Sequence, residues 1–175
     1  VVVLGKTGLK HAPRGGDRFI VCLLDQGGGM VVINRITGAR DFRMRAPLFT
    51  VPAGSAASSD TTVYLASLVD NRIHALSPDS GQKGWHYRAM GTVTSGPLVT
   101  PSAPRRLVVF GTDAGEVIAL PATGWNEVPP ANPSWERRLL DQVGGPMAIP
   151  QLTNEGRLEI RVLVPAEDNA LYCLD

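Results

Sequence analysis

The chain has 175 residues, with 17 lysines and arginines against 16 aspartates and glutamates, and a formal net charge of +1 at pH 7. This length is enough for one domain with a sizeable core. The balanced charge gives no global field that would attract nucleic acid or an anionic membrane, and no apolar run approaches the roughly 18 to 20 residues that span a bilayer. The sequence therefore predicts no nucleic-acid partner and no direct membrane insertion.

Glycine and proline are abundant, at 19 and 14 residues, and they separate apolar runs of strand length. This distribution predicts many turns between short strands. In the first part of the chain the predicted strands cover residues 1–4, 19–24, 30–34 and 41–45. Glycine-containing turns separate the last three of them, as expected for antiparallel hairpins.

The same order of strands recurs later in the chain. A predicted hairpin over residues 63–67 and 72–76 turns at Asp70 and Asn71, and a third strand begins at Trp85. The corresponding strands further on cover residues 107–112, 116–120, 161–165 and 171–174. A unit of four short strands that repeats about every 44 residues is the signature of a β-propeller blade. Helix-pair repeats would need amphipathic stretches with a period of about 3.6, which are absent.

We therefore predict an all-β fold, a β-propeller of about four antiparallel blades with four strands each. The blades cover approximately residues 1–46, 53–89, 96–140 and 146–175, and the last is incomplete. This number of blades leaves apolar sheet faces open at the ends of the series. A compact four-blade ring, a ring of two copies of the chain or further blades would cover them. Because the chain starts at Val1 without methionine and stops within a blade, we expect further blades.

Three segments carry a recurring motif. Residues 75–85 (ALSPDSGQKGW) resemble the eleven-residue tryptophan-docking motif of pyrroloquinoline-quinone-like (PQQ-like) propeller repeats, in which a Thr-Gly turn and a terminal Trp are typical. Residues 32–42 (VINRITGARDF) look like the same motif with Phe for Trp, and residues 119–135 form a third copy that an insertion lengthens. In each copy the glycine permits a positive φ and the aromatic ring fills the wedge between blades. The motif residues are Gly38, Phe42, Gly81, Trp85, Gly124 and Trp135.

The resemblance implies a ring of about seven or eight blades. It also implies a relationship to two kinds of protein, the scaffold lipoprotein of the bacterial barrel-assembly machinery and the quinoprotein dehydrogenases. Members of the second kind hold a quinone and a calcium ion and often have a disulfide between adjacent cysteines. Here Cys22 and Cys173 are far apart in sequence, and the carboxylates do not map onto a calcium site.

The sequence therefore favours a non-catalytic scaffold that binds protein partners, without a cofactor, in the periplasm or elsewhere in a bacterial cell envelope. Two alternatives stay open. The chain is either part of a PQQ-dependent dehydrogenase or a propeller that binds a carbohydrate or another small ligand.

The predicted partner-binding residues lie in and near the insertion at 124–134, which contains Trp125 and three prolines. Aromatic and arginine side chains are enriched in interface anchors, and loops on a rigid scaffold commonly carry function. The alternative is an ordinary loop whose tryptophan folds back onto the sheet. The predicted binding residues are Trp125, Arg105, Arg106, Arg137 and Arg138.

Two sets of polar residues are interpreted as structural. Aspartates at 25, 70, 113 and 168 are expected at one hairpin position of successive units, where they cap turn amides. His11, His74 and His86 show no helical or paired-strand spacing that would indicate a zinc site.

Overall fold

The computed structural model of this chain describes the backbone of residues 2–4, 20–24, 30–34 and 40–44. After these strands it describes residues 53–59, 61–77, 82–101, 106–156 and 158–174, with side chains throughout except at positions 152 and 158. No helix in these ranges is long and apolar enough to cross a membrane.

Fifteen strands form four sheets in the described part of the chain. The first sheet contains β1 (Val2–Leu4), β2 (Ile20–Leu24), β3 (Met30–Asn34) and β4 (Arg40–Met44). The second contains β5 (Ala57–Ser58), β6 (Val63–Ser67), β7 (Arg72–Leu76) and β8 (Lys83–Arg88). The third contains β9 (Leu98–Val99), β10 (Leu107–Gly111), β11 (Glu116–Pro121) and β12 (Trp135–Arg138). The fourth contains β13 (Met147–Leu152), β14 (Leu158–Pro165) and β15 (Leu171–Leu174).

Each sheet is an antiparallel meander in which every strand pairs with its neighbours in sequence. The first strands of successive sheets lie side by side, since β1 contacts β5 and β5 contacts β9. Sheets that approach one another at their first strands and fan outward are the blades of a propeller. The predicted all-β propeller of antiparallel, mostly four-stranded blades is confirmed.

The third sheet lies between the second and fourth sheets, and its strands are apolar on both faces for this reason. Side chains alternate along a strand, so Val108 and Phe110 pack toward the second sheet while Val109 packs toward the fourth. On β11, Ile118 and Val117 are divided in the same way between the two sides. We call the two buried groups the 2–3 cluster and the 3–4 cluster, after the sheets that contribute to them. A sheet between two others needs apolar residues at consecutive positions, which is the pattern that the sequence shows.

The hairpins turn through residues in the left-handed region. Asn71 has a φ of 56°, Gly115 of 77° and Asn169 of 63° in the second, third and fourth sheets, respectively. Glycine and asparagine adopt this conformation most readily. These residues mark equivalent positions in the three units, at what we call the hairpin end of the sheets.

One face of the fourth sheet is exposed. Met147, Ile149 and Leu171 lie on it and are all solvent-exposed. The other face contributes Val162 and Val164 to the 3–4 cluster. This sheet therefore buries apolar side chains on one side only, unlike the second and third sheets.

The 2–3 cluster should dominate the stability of the described sheets. Phe110 is fully buried there, with its ring 6.2 Å from the ring of Tyr87 on the second sheet. We expect Phe110→Ala to lower the free energy of unfolding by about 3–5 kcal/mol, because it leaves a cavity between two sheets. Urea unfolding measures the change. Leu140→Ala, at a side chain that is 91% exposed, is the control and should change it by about 0.5 kcal/mol or less. Equal effects of the two substitutions would contradict this packing.

Candidate functional site

Three hydrogen bonds from β6 and β8 join the second sheet to a short segment that follows β11. The indole Nε1 of Trp85 donates to the carbonyl of Gly124 at 3.0 Å, and the backbone N–H of Trp85 donates to the carbonyl of Trp125 at 3.3 Å. The hydroxyl of Tyr64 donates to the carbonyl of Thr123 at 2.7 Å. We call residues 123–125 the docking segment. Its three consecutive carbonyl groups are all held by the neighbouring sheet.

The backbones of β8 and the docking segment approach one another very closely at Gly84. A Cβ atom at this position would lie 1.5 Å from the carbonyl oxygen of Trp125, which is far inside van der Waals contact. Next to it, the rings of Tyr64 and Trp85 lie 5.8 Å apart and are tilted by 47°. This arrangement needs a glycine directly before the docking tryptophan, where the sequence has Gly84-Trp85.

The inserted residues continue from the docking segment as an exposed loop. A turn closes at its start, where the N–H of Glu127 donates to the carbonyl of Gly124 at 3.1 Å. Trp125 is half-buried, and its side chain packs against the 2–3 cluster. Val128 is 83% exposed. We call residues 125–134 the Trp125 loop. The turn between Gly124 and Glu127 holds its start, the N–H of Ser134 donates to the carbonyl of Ala119 at 2.7 Å at its end, and the residues between project into solvent.

An open groove of about 460 Å³ lies between the start of β8 and the Trp125 loop. It is lined by Lys83, Gly84, Trp85, His86, Trp125, Asn126, Glu127 and Pro129. These residues include two tryptophans, a proline, an amide and charges of both signs. Grooves lined with aromatic residues and a few polar groups suit extended peptides and small polar ligands.

The Tyr64 hydroxyl is protonated near pH 7, as an ordinary tyrosine is. Burial raises the pKa of Tyr64 further, and its hydrogen bonds with the Ser59 and Thr62 side chains only partly oppose this. The hydroxyl therefore remains a hydrogen-bond donor to Thr123 across the neutral range. The groove's wall is held by a neutral hydrogen bond that does not titrate near pH 7.

The predicted binding residues are divided between the two ends of the third sheet. Arg106 is half-buried beside the docking segment, and its carbonyl accepts a hydrogen bond from Ala122 at 2.9 Å. Arg137 and Arg138 are exposed on β12, where Arg138 pairs with Glu116 near the hairpin end. The structure therefore brings Arg106 close to the docking segment and separates Arg138 from it. Arg105 lies outside the described residues.

Three of the predicted motif residues, Trp85, Gly124 and Trp135, lie at contacts between sheets. Trp85 is buried, and Gly124 accepts its indole hydrogen bond. Trp135 is half-buried against the 3–4 cluster. Phe42 lies on β4, and its side chain is not described; Gly38 and Gly81 lie outside the described residues.

The prediction that no histidines share paired-strand spacing is wrong for one pair. His74 on β7 and His86 on β8 are direct cross-strand partners, with ring centroids 6.0 Å apart. A register shift between β7 and β8, which inserts an extra residue into β8, prevents this pairing from being read off the spacing. Within the described residues, no group of three or more His, Cys, Asp or Glu side chains could hold a metal ion.

The expected common position of the hairpin aspartates is also wrong for Asp113. Asp70 and Asp168 directly precede the left-handed residue of their hairpins, whereas Asp113 lies two residues before Gly115. Its carboxylate accepts a hydrogen bond from Thr92 N–H at 2.7 Å, outside its own hairpin. The hairpins of the third and fourth sheets have the same length, so the offset of Asp113 lies in the order of its turn residues and not in the length of the turn. Position 25 lies outside the described residues.

No family model and no curated protein matches the sequence. Solved structures match it in fold. BBS1N in complex with ARL6DN has a TM-score of 0.67 and 13% identity over 98% of this chain and 45% of that chain. BamB from Moraxella catarrhalis has a TM-score of 0.52 and 16% identity over 89% of this chain and 57% of that one. Quinohemoprotein alcohol dehydrogenase from Comamonas testosteroni has a TM-score of 0.64 and 10% identity over 89% of this chain and 32% of that chain.

The fold is a β-propeller. The predicted relationship to PQQ-like propellers is confirmed at the level of the fold. The chain spans between 32% and 57% of the length of these three structures.

The close contact at Gly84 gives a direct test of the docking geometry. Gly84→Ala should force the second sheet away from the docking segment and lower the free energy of unfolding by more than about 2 kcal/mol, because the new methyl group would overlap a backbone carbonyl. Gly156→Ala is the matched control. It has nothing within 4 Å of a new Cβ, although its φ of 75° adds some strain of its own. The prediction fails if urea unfolding shows the smaller loss for Gly84→Ala.

Stability should also depend on the protonation of His74. Burial lowers the pKa of His74, and the adjacent Asp70 carboxylate, 3.1 Å from Nε2, only partly opposes this. Burial alone would raise the pKa of Asp70, but its hydrogen bond with Ser67 and its contact with His74 lower it overall. Between an unfolded histidine pKa of about 6.5 and the lower folded value, the unfolded chain binds more protons. The contribution of His74 is therefore complete above about pH 7 and is lost as the pH falls.

Urea unfolding at pH 7, 6 and 5 tests this dependence. His74→Gln should show a smaller loss of stability between pH 7 and pH 5 than the unmodified chain. Leu140→Ala, an exposed position on the neighbouring sheet, should retain the pH dependence of the unmodified chain. If the free energy of unfolding of His74→Gln falls with pH as much as that of the unmodified chain, His74 is not the group responsible.

Proposed function

We propose that this chain is a non-catalytic propeller scaffold that binds a protein partner through the groove beside the Trp125 loop. The observation that carries this proposal is the anchoring of the loop. Three hydrogen bonds from the second sheet hold the docking segment, so one wall of the groove is rigid before a partner arrives. A preformed groove lowers the entropy cost of binding.

The composition of the groove favours a polypeptide ligand. Trp125 presents a partly exposed indole, and the exposed side chains of Lys83 and Glu127 place opposite charges in the same groove. Tryptophan is prominent among residues that dominate binding energy, and charges of both signs select the register of a bound segment. An extended peptide offers apolar side chains and backbone polar groups together, which matches this lining.

The similar structures support a binding role in general terms. BBS1N was solved in complex with ARL6DN, so one protein with this fold holds a protein partner. The proposed location, in a bacterial cell envelope outside the cytoplasm, rests on the resemblance of the repeat motif to envelope propellers.

A second candidate function is part of a quinoprotein dehydrogenase. The TM-score of 0.64 with a quinohemoprotein alcohol dehydrogenase favours it, although this chain spans only 32% of that protein. The two functions differ in a measurable way. A dehydrogenase would show quinone-dependent reduction of a dye by alcohols, whereas a scaffold would bind its protein partner without a cofactor.

The test of the scaffold function is a partner captured from bacterial envelope extract and then purified for affinity measurement. We expect Trp125→Ala to weaken binding by about tenfold or more, because it removes the aromatic anchor. The backbone carbonyl of Trp125 remains in the variant, so the hydrogen bond to β8 can still form. Leu140→Ala, exposed at the hairpin end, is the control and should bind normally.

Urea unfolding of Trp125→Ala must accompany the affinity measurement, since the indole also packs against the 2–3 cluster. Trp125→Tyr keeps an aromatic ring and should retain most of the affinity. Equal affinity of Trp125→Ala and the unmodified chain would overturn the proposal. Binding of a glycan in place of a protein, with the same loss in Trp125→Ala, would assign the groove to a carbohydrate ligand instead.

A further inference from the structure

A second exposed surface lies at the hairpin end of the second sheet, away from the Trp125 loop. Leu68 and Val69 are at the tip of the β6–β7 hairpin, where Val69 is 63% exposed. Met90 follows β8 and is 89% exposed. The N–H of Ala89 donates to the carbonyl of Asn71 at 2.9 Å, which holds Met90 beside the hairpin. We call Leu68, Val69 and Met90 the Met90 corner.

Two arginines face one another next to this corner. Arg72 on β7 and Arg88 on β8 are direct cross-strand partners. Like charges at such a position destabilise a sheet unless something neutralises them. The carboxylate of Asp70 lies 3.6 Å from Nη1 of Arg72 but only 3.1 Å from Nε2 of His74. The Asp70 carboxylate therefore pairs with His74 and Arg72 but not with Arg88.

The arginine pair has unused hydrogen-bonding capacity. Nε of Arg72 is buried and has no acceptor within the described part of the chain. Arg88 is exposed and forms no ion pair with any described residue. Buried donors in folded proteins are nearly always paired, and guanidinium groups bind carboxylates best with two parallel hydrogen bonds. Among the residues that the structure describes, Asp70 is the only carboxylate paired with these arginines.

The third sheet provides an internal comparison. Arg138 and Leu140 occupy the places of Arg88 and Met90, and Leu140 is 91% exposed. The residue opposite Arg138 is Glu116, whose carboxylate accepts hydrogen bonds from Gly91 N–H and the Thr112 hydroxyl. The exposed apolar residue therefore recurs, but of these two sheets only the second has paired positive charges at this position.

We propose that the Met90 corner and the Arg72–Arg88 pair together bind an acidic, leucine-rich segment of a protein partner. A carboxylate of that segment would lie between the two guanidinium groups, and its apolar side chains would cover Met90 and Val69. Charge complementarity selects this occupant, because the corner joins exposed apolar surface to positive charge that no second carboxylate among the described residues balances.

A narrow segment fits this surface better than an anionic membrane does. Asp113 and Asp141 are exposed at the same end of the neighbouring sheet, where a flat anionic surface would meet them. Recognition of anionic lipid uses clusters of about four to eight basic residues, whereas this site has a single pair. The positive charge of Arg72 and Arg88 is confined to one pair of positions, which suits a single carboxylate of a peptide.

The experiment measures binding of two short fluorescent peptides to the full 175-residue chain by anisotropy at low salt. One peptide alternates glutamate and leucine, and the other replaces every glutamate with glutamine. The unmodified chain should bind the glutamate peptide about tenfold more tightly, and added salt should reduce the difference. Arg88→Gln should remove this preference, and Met90→Ser should weaken binding of both peptides.

Arg138→Gln is the matched control and should behave like the unmodified chain. Trp125→Ala should also leave the peptide affinities unchanged, which separates this surface from the groove. Should Arg88→Gln fail to fold, Met90→Ser and the salt dependence in the unmodified chain decide the question. Equal affinity for both peptides, equal losses in Arg88→Gln and Arg138→Gln, or binding to phosphatidylglycerol vesicles without binding to the glutamate peptide would overturn the proposal.

Discussion

The close approach of β8 to the docking segment is the constraint on which the described structure depends. Gly84 allows two backbones to touch, and Trp85 then uses both its indole and its own N–H to hold the next sheet. Neighbouring sheets of a propeller share no backbone ladder, so their spacing must come from side-chain packing and from isolated contacts of this kind. The spacing set here determines the shape of the 2–3 cluster and the width of the groove.

The second and third sheets are joined by polar contacts at both ends, with apolar packing between them. At the insertion end the contacts are those of Tyr64 and Trp85 with the docking segment. At the hairpin end, the buried carboxylate of Glu116 accepts a hydrogen bond from the N–H of Gly91 at 3.3 Å. Buried polar groups of this kind specify one arrangement of two apolar faces that would otherwise be free to slide. Surfaces at both ends are therefore held in fixed positions, which is the physical basis for a scaffold.

Much of the fold could be predicted because its signals are local. Strand period, hairpin residues and the spacing of Trp85 and Trp135 are properties of short segments, and each is set by backbone geometry. The pairing of His74 with His86 and the place of Asp113 could not be predicted in the same way. The histidine pairing depends on one extra residue in a bulge of β8, which changes the side chains that meet. Asp113 accepts a hydrogen bond from Thr92 N–H, outside its own hairpin, and the turn sequence does not show this contact.

By itself, the sequence determined the all-β class, the order of the strands and the identity of the docking tryptophan, because repetition of a short pattern requires no knowledge of distant contacts. It also indicated Trp125 as a residue of interest, from its place in an insertion. Only the tertiary structure decided that Trp125 is half-buried beside Gly84, that Arg106 and Arg138 lie at different ends, and that Arg72 faces Arg88. These relations join residues from different strands or sheets, and the register and spacing that create them arise only when the chain packs.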